Sequence, residues 1–252
     1  LTATGWYYGN KVYSADTSFT WSVSDALGTI DEDGTFTAVQ TGRDVTGTLT
    51  VTYGETSCTL PVTVGSSQPF DDTKGHWAES YITELYYAGT LQGSEKNGKL
   101  YYRPDASMTR QEFIVAMMRY LGTDLSAYAS VQLPFDDSGS IASWAKSAMQ
   151  AAYQLGYLTG SKTNGKLLAK PSSTISRQEA MTILSRTKDF ADADLNVLSA
   201  FSDSGKIADW ARTALAQMAQ QKIISGSKGK LNPTGKVTRA EVAKMLYMLS
   251  ER

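Results

Sequence analysis

Two different patterns of apolar and polar residues divide the chain near residue 65. Before it, Thr and Val dominate, and apolar residues alternate with polar ones in four runs: 18–23, 34–38, 48–53 and 59–64. Turn-forming dipeptides such as Asp33-Gly34 separate the runs, which is typical of short antiparallel strands. The pattern predicts a small all-β sandwich over residues 1–64. The Gly/Ser/Pro-containing segment 65–69 is typical of a linker.

After residue 69, three copies of one unit follow each other with regular spacing. Each copy contains, in order, Phe-x-Asp or a close variant, Trp-Ala, Gly-Ser, Pro and Arg, and the opening residues are Phe70, Phe135 and Phe201. The distance from Trp to Gly is 16 residues and that from Pro to Arg is six residues in every copy. The distance from Gly to Pro varies, at 11, 11 and 7 residues. Such regularity identifies three tandem structural repeats.

The spacing of apolar residues within each copy predicts helix, loop and helix. In the first copy Trp77, Tyr81, Leu85 and Ala88 recur at intervals of four and three residues, which indicates one face of a helix. The following loop contains an Asn-Gly turn dipeptide in copies one and two. These features predict an all-α repeat region.

The second helix of each copy begins with the sequence Ser/Thr-x-x-Glu, at Thr109, Ser176 and Thr238. This sequence is a capping box, in which the hydroxyl and the glutamate satisfy backbone N–H groups at the start of the helix. It places an arginine at the first helical position in every copy: Arg110, Arg177 and Arg239. A cation there is unfavourable by about 0.3–1 kcal/mol because of the helix dipole. Three such arginines in register therefore require an explanation.

Two interpretations of these arginines stay open on the residues alone. An arginine beside exposed N–H groups at a helix start forms an anion site, and a guanidinium matches a carboxylate with two hydrogen bonds. This reading predicts one anion site in each copy. Alternatively, each arginine is solvated or pairs with an aspartate of the opening motif: Asp72, Asp137 or Asp203.

The repeated tryptophans and the Gly-Ser pairs also allow two interpretations. Trp77, Trp144 and Trp210 lie beside Ala and Leu on a helical face, which favours the core. A tryptophan near a helix start can instead expose one ring face to a sugar while its N–H donates a hydrogen bond. The Gly-Ser pairs are either loop turns or points where the backbone approaches a ligand closely. These pairs are Gly93 and Ser94, Gly160 and Ser161, and Gly226 and Ser227.

Composition and charge exclude several classes of function. No apolar run in the 252 residues approaches the roughly 18 of a membrane helix, so no membrane insertion is expected. The single cysteine, Cys58, excludes an internal disulfide framework and a cysteine-based zinc site. The single histidine, His76, argues against a histidine metal site or catalytic pair. We expect no metal and no cofactor. The charge balance of +4 over residues 65–252 is too weak to indicate nucleic acid.

The order of these motifs resembles the S-layer homology family. The resemblance covers residues 70–252, with Phe-x-Asp, Trp-Ala, Leu/Ile-x-Gly and Thr-Arg-x-Glu in the family's order, and gives repeats at 70–122, 135–188 and 201–252. It implies a pseudo-threefold trimer of helix-loop-helix repeats around a central helix bundle, in a monomeric chain. It also implies a module that anchors proteins non-covalently to an anionic, pyruvylated cell-wall polysaccharide of Gram-positive-type bacteria, through grooves between the repeats.

The resemblance implies a set of ligand-binding residues. The ketal carboxylate of a pyruvylated N-acetylmannosamine unit is implied to meet the arginine of each copy. The family's motif positions fall on Arg110, Arg177 and Arg239, on Trp77, Trp144 and Trp210, on Asp72, Asp137 and Asp203, and on Gly93, Gly160 and Gly226 with the serines that follow them. Every copy keeps its arginine, but the third loop is four residues shorter, so the number of working grooves stays open.

Residues 1–64 are similar to bacterial immunoglobulin-like domains of the Big-2 type. The similarity rests on four segments: 1–4, 21–24, 30–38 and 61–64. The similarity implies that the chain begins inside such a domain, after its usual first strand. We therefore expect a fragment of a larger protein of the cell surface, in which this domain is a spacer.

Two other functions stand beside the wall anchor. The repeats could form the anchoring end of a lattice-forming S-layer structural protein, which would use the same grooves. A carbohydrate hydrolase would need two carboxylates on opposite sides of a substrate. The pairs Asp71-Asp72 and Asp136-Asp137 are neighbours in the chain and do not face each other in this way. The chain is therefore predicted not to be an enzyme.

Overall fold

A computed structural model of the chain describes residues 5–7, 10–12, 19–41 and 44–250. The chain divides into two compact units, Leu1–Pro69 and Phe70–Arg252. In the described residues, the first unit is built mainly of strands and the second mainly of helices.

The strands of the first unit form three antiparallel sheets in the described residues. Two sheets are hairpins, β1 (Gly5–Tyr7) with β2 (Asn10–Val12), and β4 (Gly28–Ile30) with β5 (Phe36–Ala38). The third sheet joins β3 (Thr20–Val23), β6 (Val45–Tyr53) and β7 (Thr56–Val64) in the order β3-β6-β7. Leu27 is fully buried and Leu49 is nearly so.

The expectation of an immunoglobulin-like sandwich is wrong for the described part of this unit. In a sandwich, each strand buries alternate residues against a second sheet. Strand β7 is instead exposed at its first six positions, and Leu60 within them is 54% exposed. Among the described residues, only the β3-β6-β7 sheet has more than two strands. Residues 1–4, which carry part of the similarity to Big-2 domains, lie outside the described residues.

Each copy of the repeat contains a first helix and a second helix with a β-hairpin or bridge between them. The first helices are α1 (Glu79–Tyr87), α3 (Lys146–Gln154) and α5 (Asp209–Gln220). The second helices are α2 (Arg110–Tyr120), α4 (Arg177–Leu184) and α6 (Arg239–Ser250). The hairpins are β8 (Ser94–Lys96) with β9 (Lys99–Tyr101) and β10 (Ser161–Thr163) with β11 (Lys166–Leu168). The third copy has a single bridge between Ser227 and Lys230.

These hairpins correct the expectation of an all-α repeat region, because the first two copies each contain a two-stranded sheet. The described structure as a whole is mixed, with 37% helix and 21% strand in small sheets. Asn97 and Gly98 have φ values of 54° and 72°, and Asn164 and Gly165 have 51° and 76°. Two successive residues with positive φ form a turn whose twist matches that of a two-stranded hairpin. The Asn-Gly turns are thus confirmed. Helical periodicity could not predict the short strands beside them.

The three copies close into a ring in which equivalent contacts recur at each junction. Helix α3 packs on α2, α5 on α4 and α1 on α6, so each first helix lies on the second helix of the preceding copy. Where the copies meet, three buried residues exchange backbone hydrogen bonds. The Ile175 N–H donates to Met108 O at 3.0 Å, the Val237 N–H to Ile175 O at 3.1 Å, and the Met108 N–H to Val237 O at 3.1 Å. Each residue is a donor and an acceptor, so the cycle has no open end.

A contact between glycine and phenylalanine fixes the segment after each first helix. A Cβ on Gly93, Gly160 or Gly226 would lie 2.4, 2.6 or 3.0 Å from the ring of the phenylalanine that opens the same copy. Gly160 and Gly226 also have positive φ values, of 72° and 66°. A side chain at these positions would therefore displace the ring or strain the backbone. The ligand role of these glycines stays a prediction, and the structure gives each of them a packing role.

Replacing Gly160 by alanine tests this contact. We expect the variant to lose about 2 kcal/mol or more of unfolding free energy, because the new Cβ meets Phe135 at a backbone conformation that alanine disfavours. Gly139→Ala in the same copy is the matched control, since a Cβ there meets nothing within 4 Å. Urea unfolding of both variants measures the difference, and equal stabilities would contradict the role of this contact.

Candidate functional site

The aspartate that opens each copy holds the loop before the proline. The carboxylate of Asp72 accepts hydrogen bonds from the backbone N–H groups of Tyr102 and Arg103, at 2.8 and 2.7 Å. Asp137 and Asp203 hold the equivalent pairs of N–H groups. The second residue of each pair has a positive φ, at 59°, 52° and 52°. Both oxygens of each aspartate are therefore directed at the backbone, where they stabilise an unfavourable loop conformation.

The predicted capping boxes are confirmed at all three second helices. The Thr109 N–H donates to Glu112 Oε2 at 2.8 Å, and the Glu112 N–H donates to Thr109 Oγ1 at 3.4 Å. The equivalent contacts are present at Ser176 and at Thr238. In each box, the cap N–H donates to Oε2 of the glutamate, so Oε1 is left for another partner.

The N–H groups at the helix starts are already occupied. The Arg110 N–H donates to Ser173 O and the Gln111 N–H to Pro171 O, each at 3.0 Å, and both carbonyls belong to the following copy. The first two N–H groups of α4 and α6 are satisfied in the same way by the next copy around the ring. The backbone half of the expected anion site is therefore not available, and only the arginine side chains remain for it.

Each motif arginine reaches across to the next copy around the ring. Arg110 Nε donates to Ala169 O at 3.0 Å, and Arg239 Nε donates to Tyr102 O at 2.7 Å. The N–H groups of Ala169 and Tyr102 are the ones that the opening aspartates hold. In both cases the aspartate therefore binds the N–H group of the loop residue, and the arginine binds its carbonyl group. Arg177 Nε is buried and has no hydrogen-bond partner among the described residues.

The same arginines pair with the capping-box glutamates of the next copy. Arg110 Nη1 lies 3.2 Å from Glu179 Oε1, and Arg239 Nη1 lies 3.9 Å from Glu112 Oε1. Arg177 Nη2 donates a hydrogen bond to Glu241 Oε1. The arginine side chains are only 10–17% exposed. A solvated arginine and a pair with the opening aspartate are therefore both wrong interpretations.

Burial and hydrogen bonding shift the ionisation of these groups. Burial lowers the pKa of Arg110, although the nearby Glu179 carboxylate opposes this effect. Burial raises the pKa of Glu179, but hydrogen bonds from Ser176 and neighbouring cations together outweigh it, so the pKa is lowered. The pKa of Asp203 is likewise lowered, because two backbone N–H bonds outweigh burial. Both carboxylates are thus ionised at neutral pH.

The tryptophans of the repeat are exposed, whereas the alanines that follow them are buried in the core. Trp77, Trp144 and Trp210 are 56%, 58% and 59% exposed, whereas Ala78, Ala145 and Ala211 are fully buried. In the first copy the buried face contains Ala78, Ile82 and Leu85. The predicted face is therefore wrong at Trp77, and so is the interpretation of the tryptophans as core residues. Their ring faces are available to a ligand.

One groove collects side chains from all three copies and has a volume of about 630 Å³. Its lining includes Gly93, Ser94 and Glu112 from the first copy, Trp144 from the second and Arg239 from the third. We call it the first groove. Arg119 from α2 also lines it, a cation that the repeat motifs did not single out.

A second cavity, of about 700 Å³, is lined by the equivalent residues, each taken from the copy before the one that supplies it in the first groove. Its lining includes Gly226, Ser227 and Glu241 from the third copy, Trp77 from the first and Arg177 from the second, and we call it the third groove. The lysines Lys206, Lys230 and Lys244 add positive charge there. By analogy with these two cavities, we call the remaining motif residues the second groove: Gly160, Ser161, Glu179, Trp210 and Arg110.

Comparison with known proteins identifies the family. The sequence profile of the S-layer homology domain matches residues 69–114, 134–181 and 200–243, which together make up more than half of the chain. The chain therefore belongs to the S-layer homology domain family, whose domains anchor proteins to the cell surface.

Several curated proteins are similar over part of their length. An amylopullulanase of Thermoanaerobacterium thermosulfurigenes is 29% identical over 81% of this chain and 10% of that protein. Exoglucanase XynX of Acetivibrio thermocellus is 29% identical over 93% of this chain and 21% of that protein. The surface-layer 125 kDa protein of Lysinibacillus sphaericus is 32% identical over 49% of this chain and 10% of that protein. The chain thus spans about a tenth to a fifth of these relatives.

These findings give the location and the class of partner. Three S-layer homology domains and a similarity to a surface-layer protein indicate the cell surface or cell wall. S-layer homology domains are non-catalytic anchoring modules that bind cell-wall polymers. No helix in the described part of the chain is long and apolar enough to cross a membrane.

Replacing Glu179 by glutamine tests the charge in one arginine–glutamate pair, since glutamine also completes a capping box. The folded-state pKa of Glu179 lies below its unfolded value of about 4.3. The charge therefore stabilises the fold above that pH, and this stabilisation is lost as the pH falls through the folded-state pKa. We expect the wild type to be the more stable protein at neutral pH, and the difference in stability to shrink as the pH falls through the folded-state pKa of Glu179. Thermal unfolding across this range measures the difference, and a constant gap would contradict the prediction.

Proposed function

We propose that residues 70–252 anchor a surface protein non-covalently by binding a pyruvylated secondary cell-wall polysaccharide in the grooves between the repeats. One observation carries the proposal: an arginine, an exposed tryptophan and a Gly-Ser segment from three different copies surround one cavity. An anionic sugar needs these three groups together. The cation binds the carboxylate, the aromatic face packs on the sugar, and the backbone binds hydroxyl groups.

In the first groove, Arg239 binds the ketal carboxylate of the sugar. Its Nε and Nη2 donate to Tyr102 O and Gln92 O, at 2.7 and 2.8 Å, and the guanidinium lies 4.5 Å from the centre of the Tyr102 ring. These contacts fix the guanidinium plane before a ligand arrives. A charge-assisted hydrogen bond to a positioned, largely buried arginine contributes about 1.5–3 kcal/mol.

The other groove residues recognise the uncharged parts of the ligand. Trp144 packs on the sugar or on the methyl group of the ketal. The backbone of Gly93 and Ser94 binds hydroxyl groups or the acetamido group. Asp72 acts indirectly, because it holds the loop whose carbonyl positions Arg239. The second and third grooves use the equivalent residues for the same class of ligand.

The full-length protein carries this anchor together with other parts, and the relatives support two kinds of protein. The similarity to an amylopullulanase and an exoglucanase favours a wall-attached carbohydrate-active enzyme. The similarity to the surface-layer 125 kDa protein favours a lattice-forming S-layer protein. Catalysis is not proposed for this chain, because Asp72, Asp137 and Asp203 each direct both oxygens at backbone N–H groups.

Calorimetric titration with a synthetic pyruvylated N-acetylmannosamine glycoside tests the ligand. The same sugar without pyruvate is the matched control. We expect heat of binding from the pyruvylated sugar only, because the arginine reads its carboxylate, and the stoichiometry counts the working grooves. Equal binding of both sugars would move recognition away from the arginines. Binding of neither would contradict the proposed ligand.

Replacing Trp144 by alanine tests the aromatic contact and leaves intact the hydrogen bonds by which Arg239 holds the loop of the first copy. We expect the affinity for the pyruvylated glycoside at the first groove to fall by roughly three- to tenfold, since an aromatic contact contributes about 0.5–1.5 kcal/mol. The unfolding temperature should stay unchanged, because the side chain is exposed. Tyr53→Ala is the control, an exposed aromatic residue outside the grooves. An unchanged affinity in Trp144→Ala would remove the tryptophan from the site.

A further inference from the structure

We propose that the capping-box glutamates rank the three grooves for a ligand carboxylate, and that the first groove binds it most tightly. Each glutamate is a carboxylate of the protein itself that competes for the groove arginine. The inference rests on the proposed function in so far as the natural ligand is anionic, and it assigns to Glu112, Glu179 and Glu241 a role in specificity.

The three arginine–glutamate pairs are not equally close. Arg177 and Glu241 in the third groove are hydrogen-bonded, as are Arg110 and Glu179 in the second groove, at 3.2 Å. In the first groove, Arg239 Nη1 and Glu112 Oε1 are 3.9 Å apart, which is too far for a hydrogen bond. An incoming carboxylate must replace or join a hydrogen-bonded glutamate at Arg177 or Arg110, whereas at Arg239 no carboxylate is hydrogen-bonded to the guanidinium.

The partners of the guanidinium N–H groups, rather than their number, separate Arg239 from Arg177. A guanidinium has five N–H donors in a planar fork. In Arg239, Nε and one N–H of Nη2 donate to backbone carbonyls, and no N–H group is hydrogen-bonded to a carboxylate. In Arg177, Nη2 donates to Glu241, so this guanidinium already holds a carboxylate, although its Nε has no hydrogen-bond partner among the described residues.

The cation that accompanies the motif arginine also differs between the copies. Arg119 lines the first groove, is exposed, and its side chain makes no hydrogen bond or ion pair to any described residue. At the same position in the second copy, Arg186 Nη1 donates to Tyr157 O at 2.8 Å, and burial lowers the pKa of Arg186. In the third copy the position is Met248, and the third groove has Lys244 one helical turn earlier instead. Of the two described cavities, the first groove therefore has a second arginine without a hydrogen-bonded or ionic partner, whereas the third groove has lysines beside Arg177.

Sodium pyruvate, a simple carboxylate, tests the ranking without the glycan. The full chain is titrated with it while the NMR signals of the arginine Nε–Hε groups are followed. We expect the Arg239 and Arg119 signals to shift at the lowest concentrations and the Arg177 signal at the highest. Shifts of Arg177 before Arg239, equal shifts in all grooves, or no shift of any groove arginine would overturn the ranking.

Glutamine variants test the cause of the ranking, because glutamine keeps the capping box and removes the competing charge. We expect Glu241→Gln to raise the affinity of the third groove for pyruvate by about tenfold, and Glu112→Gln to change that of the first groove by less than about threefold. Glu55→Gln in the first unit is the control for the change in net charge. No gain in Glu241→Gln, or an equal gain in Glu112→Gln, would show that the glutamates do not set the ranking.

A parallel titration with the pyruvylated glycoside separates this inference from the proposed function. If the glycoside fails to bind while pyruvate ranks the grooves as expected, the ranking stands and the proposed glycan is wrong. If the glycoside binds and Arg177 responds before Arg239, the proposed function stands and the ranking is wrong.

Discussion

Three backbone hydrogen bonds, exchanged by Met108, Ile175 and Val237, are the constraint on which the repeat unit depends. Each of these residues comes directly before the Ser or Thr that begins a second helix. The closed cycle therefore sets the starting points of all three helices at once. A buried N–H group without a partner costs about 1–3 kcal/mol, so removing or shifting one copy would leave the other two with unsatisfied groups. The three copies consequently stabilise each other as one body.

Closure of the ring also explains why no single copy contains a site. The starting point of a second helix decides where its arginine crosses to the next copy, and the aspartate of that copy holds the loop that receives the arginine. In the two described cavities, the glycine and the glutamate come from one copy, the arginine from the copy before and the tryptophan from the copy after. Ligand binding is thereby linked to the closed arrangement, and a repeat outside the ring would lack two walls of its groove.

Local sequence predicts those parts of this structure that local physics determines. The capping boxes and the Asn-Gly turns need only neighbouring residues, and both are present. The helix face predicted to be buried wrongly includes Trp77, because helical periodicity alone cannot distinguish a large apolar residue at the edge of the core from one inside it. The small Ala78 is buried instead. The glutamate partner of Arg110 is 69 residues away. The sequence indicates this partner only indirectly. A capping box uses one carboxylate oxygen of its glutamate and leaves the other for a second partner, and an arginine lies beside the box in all three copies.

The arginine of each groove serves both folding and binding, and this double use limits what its charge can contribute to recognition. A largely buried guanidinium needs a counter-charge when the groove is empty, since an uncompensated buried charge is strongly destabilising. The capping-box glutamate supplies that charge, so a ligand carboxylate replaces or joins an existing partner and gains less than it would at a bare cation. Discrimination among anionic sugars must therefore come in large part from the exposed tryptophan. The Gly-Ser segments already have backbone partners, since Ser94 and Ser161 lie in paired strands and the Ser227 N–H donates to Lys230 O at 2.8 Å. The tryptophans are more than half exposed, so their ring faces are available to the ligand.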